Sequence, residues 1–274
     1  MATLQIHSRS ISLPARLDPV VNPTSFDQVD LQKWQIPKTA VPVTSQGIQS
    51  GLLGLAELYN SVQELAQPRR DVKSIEESLS GSVELLDSCT AIRELFQMIR
   101  ENVQALQSAL RRKGLDSSVQ SDISSYFCFR KKMNKSVAKT LKALKNLESR
   151  NRDSGNFNDV LREVAGVTVA IFRSILLFLS TPTSARSGGW SLVSRLMVAK
   201  PAAENGGVNE VGSVDFALSS LQGKLRSNGA KAVDVQKGLQ NLEAVVEGFE
   251  GGLERVFRQL VQSRVTLLNI LTDH

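Results

Sequence analysis

Residues 235–270 read VQKGLQNLEAVVEGFEGGLERVFRQLVQSRVTLLNI. Alternating steps of four and three through this stretch land on Val235, Leu239, Leu242, Val246, Phe249, Leu253, Val256, Leu260, Ser263, Leu267 and Ile270. Only Ser263 is polar, in a chain that is 41% hydrophobic overall, so chance does not produce this register. On a helix the spacing gathers those side chains into one stripe, which must be buried against other helices. The same beat returns in three earlier segments. It predicts an all-α, elongated helical bundle of about five or six helices, several of them long and heptad-patterned.

Proline marks where such helices can lie, because it breaks a helix interior. Pro14, Pro19, Pro23, Pro37 and Pro42 crowd the first 42 residues, and Pro68, Pro182 and Pro201 fall between the periodic segments. Residues 1–44 therefore read as a disordered N-terminal arm, and 45–274 as one helical bundle domain interrupted by a flexible loop at 181–212. Helices are expected over about 46–66, 72–112, 117–149, 159–180, 214–226 and 230–272, with a short helical patch at 190–199 inside the loop. Gly114 stands where the second helix should stop, just after the cationic end Arg111, Arg112 and Lys113. Gly238, Gly248, Gly251 and Gly252 weaken the last helix by about 1 kcal/mol each relative to alanine. Because the seam keeps register across 251 and 252, a bent but continuous helix is expected. The apolar stripes are wide, with Leu86, Leu95, Phe257 and Val261 beside the seam, which suits an intramolecular bundle better than a coiled-coil dimer.

Composition narrows the chemistry. The 33 Lys and Arg against 27 Asp and Glu leave a net charge of +6, a mild tilt toward acidic partners. The two histidines are His7 and His274, so the body offers no Ser-His or Cys-His pair and no imidazole ligand. Cys89 and Cys128 give neither a disulfide framework nor a metal cluster, and Cys89 falls on a heptad position that buries its thiol. Gly223-Lys224 lacks the upstream glycines of a phosphate loop. No catalytic constellation, cofactor site or metal site is expected, and the protein reads as a non-enzyme. The apolar run 164–179 has only 16 residues and carries Arg173. A membrane span wants roughly 20, so a buried bundle helix that lets Arg173 reach the surface is the better reading. No signal-peptide type of run stands at the N-terminus.

Two features point to partners. The third helix carries Arg130, Lys131, Lys132, Lys135, Lys139, Lys142 and Lys145, and no acid follows until Glu148. Such a basic amphipathic helix can bind anionic lipid, while nucleic acid is an unlikely partner without aromatic platforms between the lysines. The alternative is an ordinary solvated face neutralised by acids of a neighbouring helix. In the arm, Arg9-Ser10-Ile11-Ser12-Leu13-Pro14 matches the R-S-x-S-x-P pattern that 14-3-3 proteins bind when the second serine is phosphorylated. The same arm lacks acids until Asp18, as a plastid transit segment would.

Three blocks carry a family resemblance: His7 to Pro14; Glu84 to Cys89 with Gln107 to Arg112; and Val256 to Arg258 with Arg264 to Leu271. Together they resemble a plant-specific family catalogued as domain of unknown function 241. The resemblance implies an all-helical land-plant protein associated with root and shoot development, and it brings no catalytic residue. Arg258, Arg264 and Asn269 in the last block are expected to help helices dock. The resulting expectation is an interaction or scaffold protein with a phospho-dependent 14-3-3 docking arm, or alternatively a peripheral membrane protein using the basic helix at 130–145. A cytoplasmic location is expected, with plastid and membrane-peripheral locations as alternatives.

Overall fold

A computed structural model describes residues 44–64, 72–114, 117–153, 159–180, 209–222 and 229–272. These form six α-helices and one 3-10 turn, and no strand occurs among the described residues. The helices are α1 (Ser45–Glu64), α2 (Val72–Lys113), α3 (Gln120–Asp153), α4 (Asp159–Leu179), α5 (Glu210–Gln222) and α6 (Gly229–Thr272), and the 3-10 turn Ser117–Val119 leads into α3.

Local chemistry sets the ends. Thr44 opens α1, its Oγ1 accepting from the Gly47 amide at 3.1 Å. Gly114 ends α2 with φ of 61°, a left-handed conformation that a side chain would resist, and its amide returns to the Leu110 carbonyl at 2.9 Å. Asn209 caps α5, accepting from the Gly212 amide at 2.9 Å. That cap moves the start of α5 to Glu210, so the expected loop at 181–212 is corrected at its end: 210–212 are helix. Helix α3 continues to Asp153, past the end at about 149 expected from the sequence. The arm at 1–43, the rest of the loop and its helical patch at 190–199 lie outside the described residues.

Helices α1 and α2 each pack against both α4 and α6, which makes a square with α4 and α6 on opposite corners. The ring of Phe249 on α6 meets Phe178 of α4 edge-on at 5.2 Å and Phe96 of α2 at 5.9 Å, filling the middle of that square. Helix α3 covers the side formed by α2 and α4, and α5 packs on α6 and reaches α3. The stripe that decided the fold is buried within the chain itself, from Val235 to Leu260 and again at Leu267, while Ser263 and Ile270 are half-buried. Helices α2 and α6 run antiparallel, as Arg93 pairs with Glu254 at 3.0 Å and Gln107 with Glu243 at 3.0 Å.

The α6 glycines are not equivalent. Helix α6 is continuous through all of them. A Cβ on Gly252 would stand 2.9 Å from Leu52 Cβ, so this glycine lets α1 lie close against α6, whereas one on Gly248 would meet only the movable end of the Gln49 side chain. Nothing lies within 4 Å of a Cβ on Gly251. Arg264 docks helices as expected, its Nη1 donating to the Leu79 carbonyl and to Ser82 Oγ at 2.9 Å. Arg258 instead pairs with Glu254 on its own helix at 3.2 Å, and Asn269 is exposed. Helix α4 is apolar nearly all round and sits among α1, α2 and α3, while Arg173 reaches the surface to Glu148 at 3.3 Å. No described helix is long and apolar enough to cross a membrane.

Candidate functional site

Helix α3 separates two kinds of surface. Ile123, Tyr126, Phe129, Met133, Val137, Leu141, Leu144 and Leu147 recur at steps of three and four and are buried. The remaining arc carries Lys131, Lys132, Lys135, Lys139, Lys142 and Lys145, every one exposed. At 100° and 1.5 Å per residue they cover an arc of about 140° over a length of about 21 Å. Among the described residues, no acidic side chain pairs with any of the six. The nearest acids on the helix, Asp122 and Glu148, are engaged with Lys113 and Arg173. Neutralisation by a neighbouring helix is therefore not what the described structure contains.

The lysines are spaced more closely than the Debye length of roughly 8 Å at physiological salt, so their fields add. Like charges three and four residues apart also cost a helix about 0.2–0.5 kcal/mol per pair. This face is a small expense in stability and a concentrated positive potential. Cys128 is exposed on the same arc, since Lys131, Lys132 and Lys135 follow it by three, four and seven residues.

Arg130 does not belong to that face, which corrects its inclusion with the lysines. Only 3% of it is exposed, and it points inward to Asp215 of α5, which is fully buried. Its Nε donates to Asp215 Oδ1 and Oδ2 at 3.1 and 3.0 Å, and its Nη2 to Oδ2 at 2.8 Å. Tyr126 donates to the same carboxylate at 2.9 Å, and Arg130 Nη1 to the Leu179 carbonyl at 2.8 Å. The Asn209 side-chain amide donates to the neighbouring Phe178 carbonyl at 2.8 Å, so two carbonyls at the end of α4 are satisfied from α3 and from the α5 cap. Burial pushes the Asp215 carboxyl up from its usual range, against the opposing pull of Arg130 and the Tyr126 hydroxyl. Burial also pushes the Tyr126 hydroxyl well up. The cluster joins three helices and places the inner side of α3 firmly, which holds its outer side toward solvent.

The sequence groups Arg130 with the lysines, yet its position falls in step with the inward residues Tyr126, Met133 and Val137. A guanidinium at an inward position needs a buried anion. Asp215 stands four residues after Val211 and one after Val214, on the inward side of α5. The phospho-switch residues expected in the arm, Arg9, Ser10, Ser12 and Pro14, lie outside the described residues. Among the described residues, no three His, Cys, Asp or Glu side chains converge as a metal ion requires.

A family model described as Protein BPS1 matches residues 51–270, which takes in all six helices and the lysine face and leaves out the arm. No curated protein and no solved structure matches the chain. A plant-specific family of unknown function, the one that the sequence blocks resemble, is consistent with that match. The match covers well over half of the chain, and the protein belongs to the BPS1 family.

Proposed function

We propose that the protein is a non-enzymatic interaction protein acting in plant root and shoot development, and that α3 is its contact surface, docking on an anionic membrane. Membership of the BPS1 family supports the developmental part of this reading. The observation that carries the docking part is the row of six exposed lysines with no acidic partner among the described residues. A row about 21 Å long on a rigid helix suits an extended surface of negative headgroups, and each lysine close to such a surface contributes about 1 kcal/mol. A single-stranded nucleic acid is held by aromatic rings on which its bases stack between the charges, and no ring stands between these lysines.

Flotation with phosphatidylserine vesicles tests it. Wild type should float with the vesicles at low salt and be released at high salt. Changing Lys132, Lys135, Lys139 and Lys142 to Gln should weaken binding on the order of a hundred- to a thousand-fold. Equal binding to neutral vesicles, or full retention by the quadruple variant, would exclude the mechanism.

The arm supports a second contact of different chemistry. Its Arg9-Ser10-Ile11-Ser12-Leu13-Pro14 pattern is suited to phospho-dependent capture by a 14-3-3 protein, whose arginines would pair with phospho-Ser12. A pull-down comparing phosphorylated wild type with Ser12→Ala decides this, and equal retention removes the switch.

A further inference from the structure

The α6 seam is interrupted at Ser263, and the interruption opens onto a cavity of about 290 Å³ at the end of the bundle. Small residues from two other helices meet the same space, Gly81 on α2 and Ala165 on α4. The space is partly open to solvent, and Leu or Val at these three positions would narrow it. Nothing crowds Gly81: a Cβ there would lie 3.9 Å from Leu147 Cδ1, an ordinary contact. A helix interior disfavours glycine, so its effect here is to leave room.

The walls are mostly hydrocarbon, with Leu147, Leu161 and Leu267 facing the space. Four charged residues stand around it and cancel formally. Arg150 pairs with Glu84, and Glu77 and Arg162 are each engaged in interactions of their own. A charged ligand would find no uncompensated counter-charge. Hydroxyls line it as well, from Ser263 and from Ser78, Ser80 and Ser82, the last already donating to the Leu79 carbonyl. The volume lies near the lower end of small-molecule sites, below what a drug-sized ligand fills.

We infer that this cavity binds a small uncharged molecule, largely hydrocarbon, whose hydroxyl or carbonyl group meets Ser263. The site is separate from the lysine face and does not depend on it. Its test uses the neutral fluorophore N-phenyl-1-naphthylamine, whose emission rises in apolar surroundings, titrated into the full chain. Wild type should show one saturable site. Gly81→Leu and Ala165→Phe, which fill the cavity from two different helices, should abolish saturable binding while keeping the helical circular dichroism spectrum. Ala138→Leu, on the exposed side of α3, should bind as wild type does. If Ala165→Phe does not fold, Gly81→Leu decides alone, since it replaces a helix-weakening residue with a strong helix former. Absence of saturable binding to wild type, unchanged binding in the filled variants, or equal loss in Ala138→Leu would overturn the inference.

Discussion

Arg130 and Asp215 show how a charge can belong to the interior. Removing one member leaves the other buried and uncompensated, so Arg130→Met alone should cost about 3–5 kcal/mol in chemical denaturation. Arg130→Met combined with Asp215→Leu should recover part of that loss, because no buried charge is left alone although the Tyr126 hydroxyl and the Leu179 carbonyl lose a partner. A double variant as unstable as the sum of the single changes would contradict a coupled pair. The cysteines separate in the same way by burial. Burial pushes the Cys89 thiol up to about 12, whereas Cys128 is exposed. Ellman's reagent should therefore titrate one thiol in the folded protein and two in denaturant. The folded state keeps the Cys89 proton to higher pH than the unfolded chain, which releases it near 8.5. The stabilisation is thus complete below about 8.5 and is lost as pH rises through about 12. In Cys89→Ala the alkaline fall in stability should be shallower over that window, the tyrosine contributions remaining.

At the scale of the element, spacing carried the helices and single residues decided their ends and contacts. The steps of three and four placed α1, α2, α3 and α6 because burial of a stripe is a periodic requirement, while the prolines and polar turns bounded the other two. The Asn209 cap is local to α5, whereas the bond its amide gives to the Phe178 carbonyl of α4 was not legible, because it crosses 31 residues of chain. The α6 glycines illustrate the same limit. Composition gives them one meaning, a weakened helix, but the neighbour at each position gives them different ones. Gly251→Ala should stabilise the protein by about 1 kcal/mol, since it gains helix propensity and touches nothing. Gly252→Ala should instead destabilise by about 1–3 kcal/mol as its methyl meets Leu52. Thermal midpoints moving in opposite directions would bear this out, and a shared direction would show that α1 does not pack closely there.

In the whole molecule, each helix puts an apolar side inward, and α3 keeps an unusually uniform positive side outward. The lysine row was legible in the sequence because it needs only one helix and its period. Its freedom from neighbouring acids was not, since that depends on which helices pack around α3. Arg130 was misassigned to it although the steps 123, 126, 130, 133 and 137 put that position inward; what the partner on α5 adds is the anion that its charge serves. Cys128 offers a direct probe of the exposed side, since Cys89 is buried and stays unlabelled. An environment-sensitive dye on Cys128, followed as phosphatidylserine vesicles are added, reports whether this face meets the membrane. A blue shift that high salt reverses is expected. An unchanged spectrum while the protein floats with the vesicles would contradict docking through the lysine face.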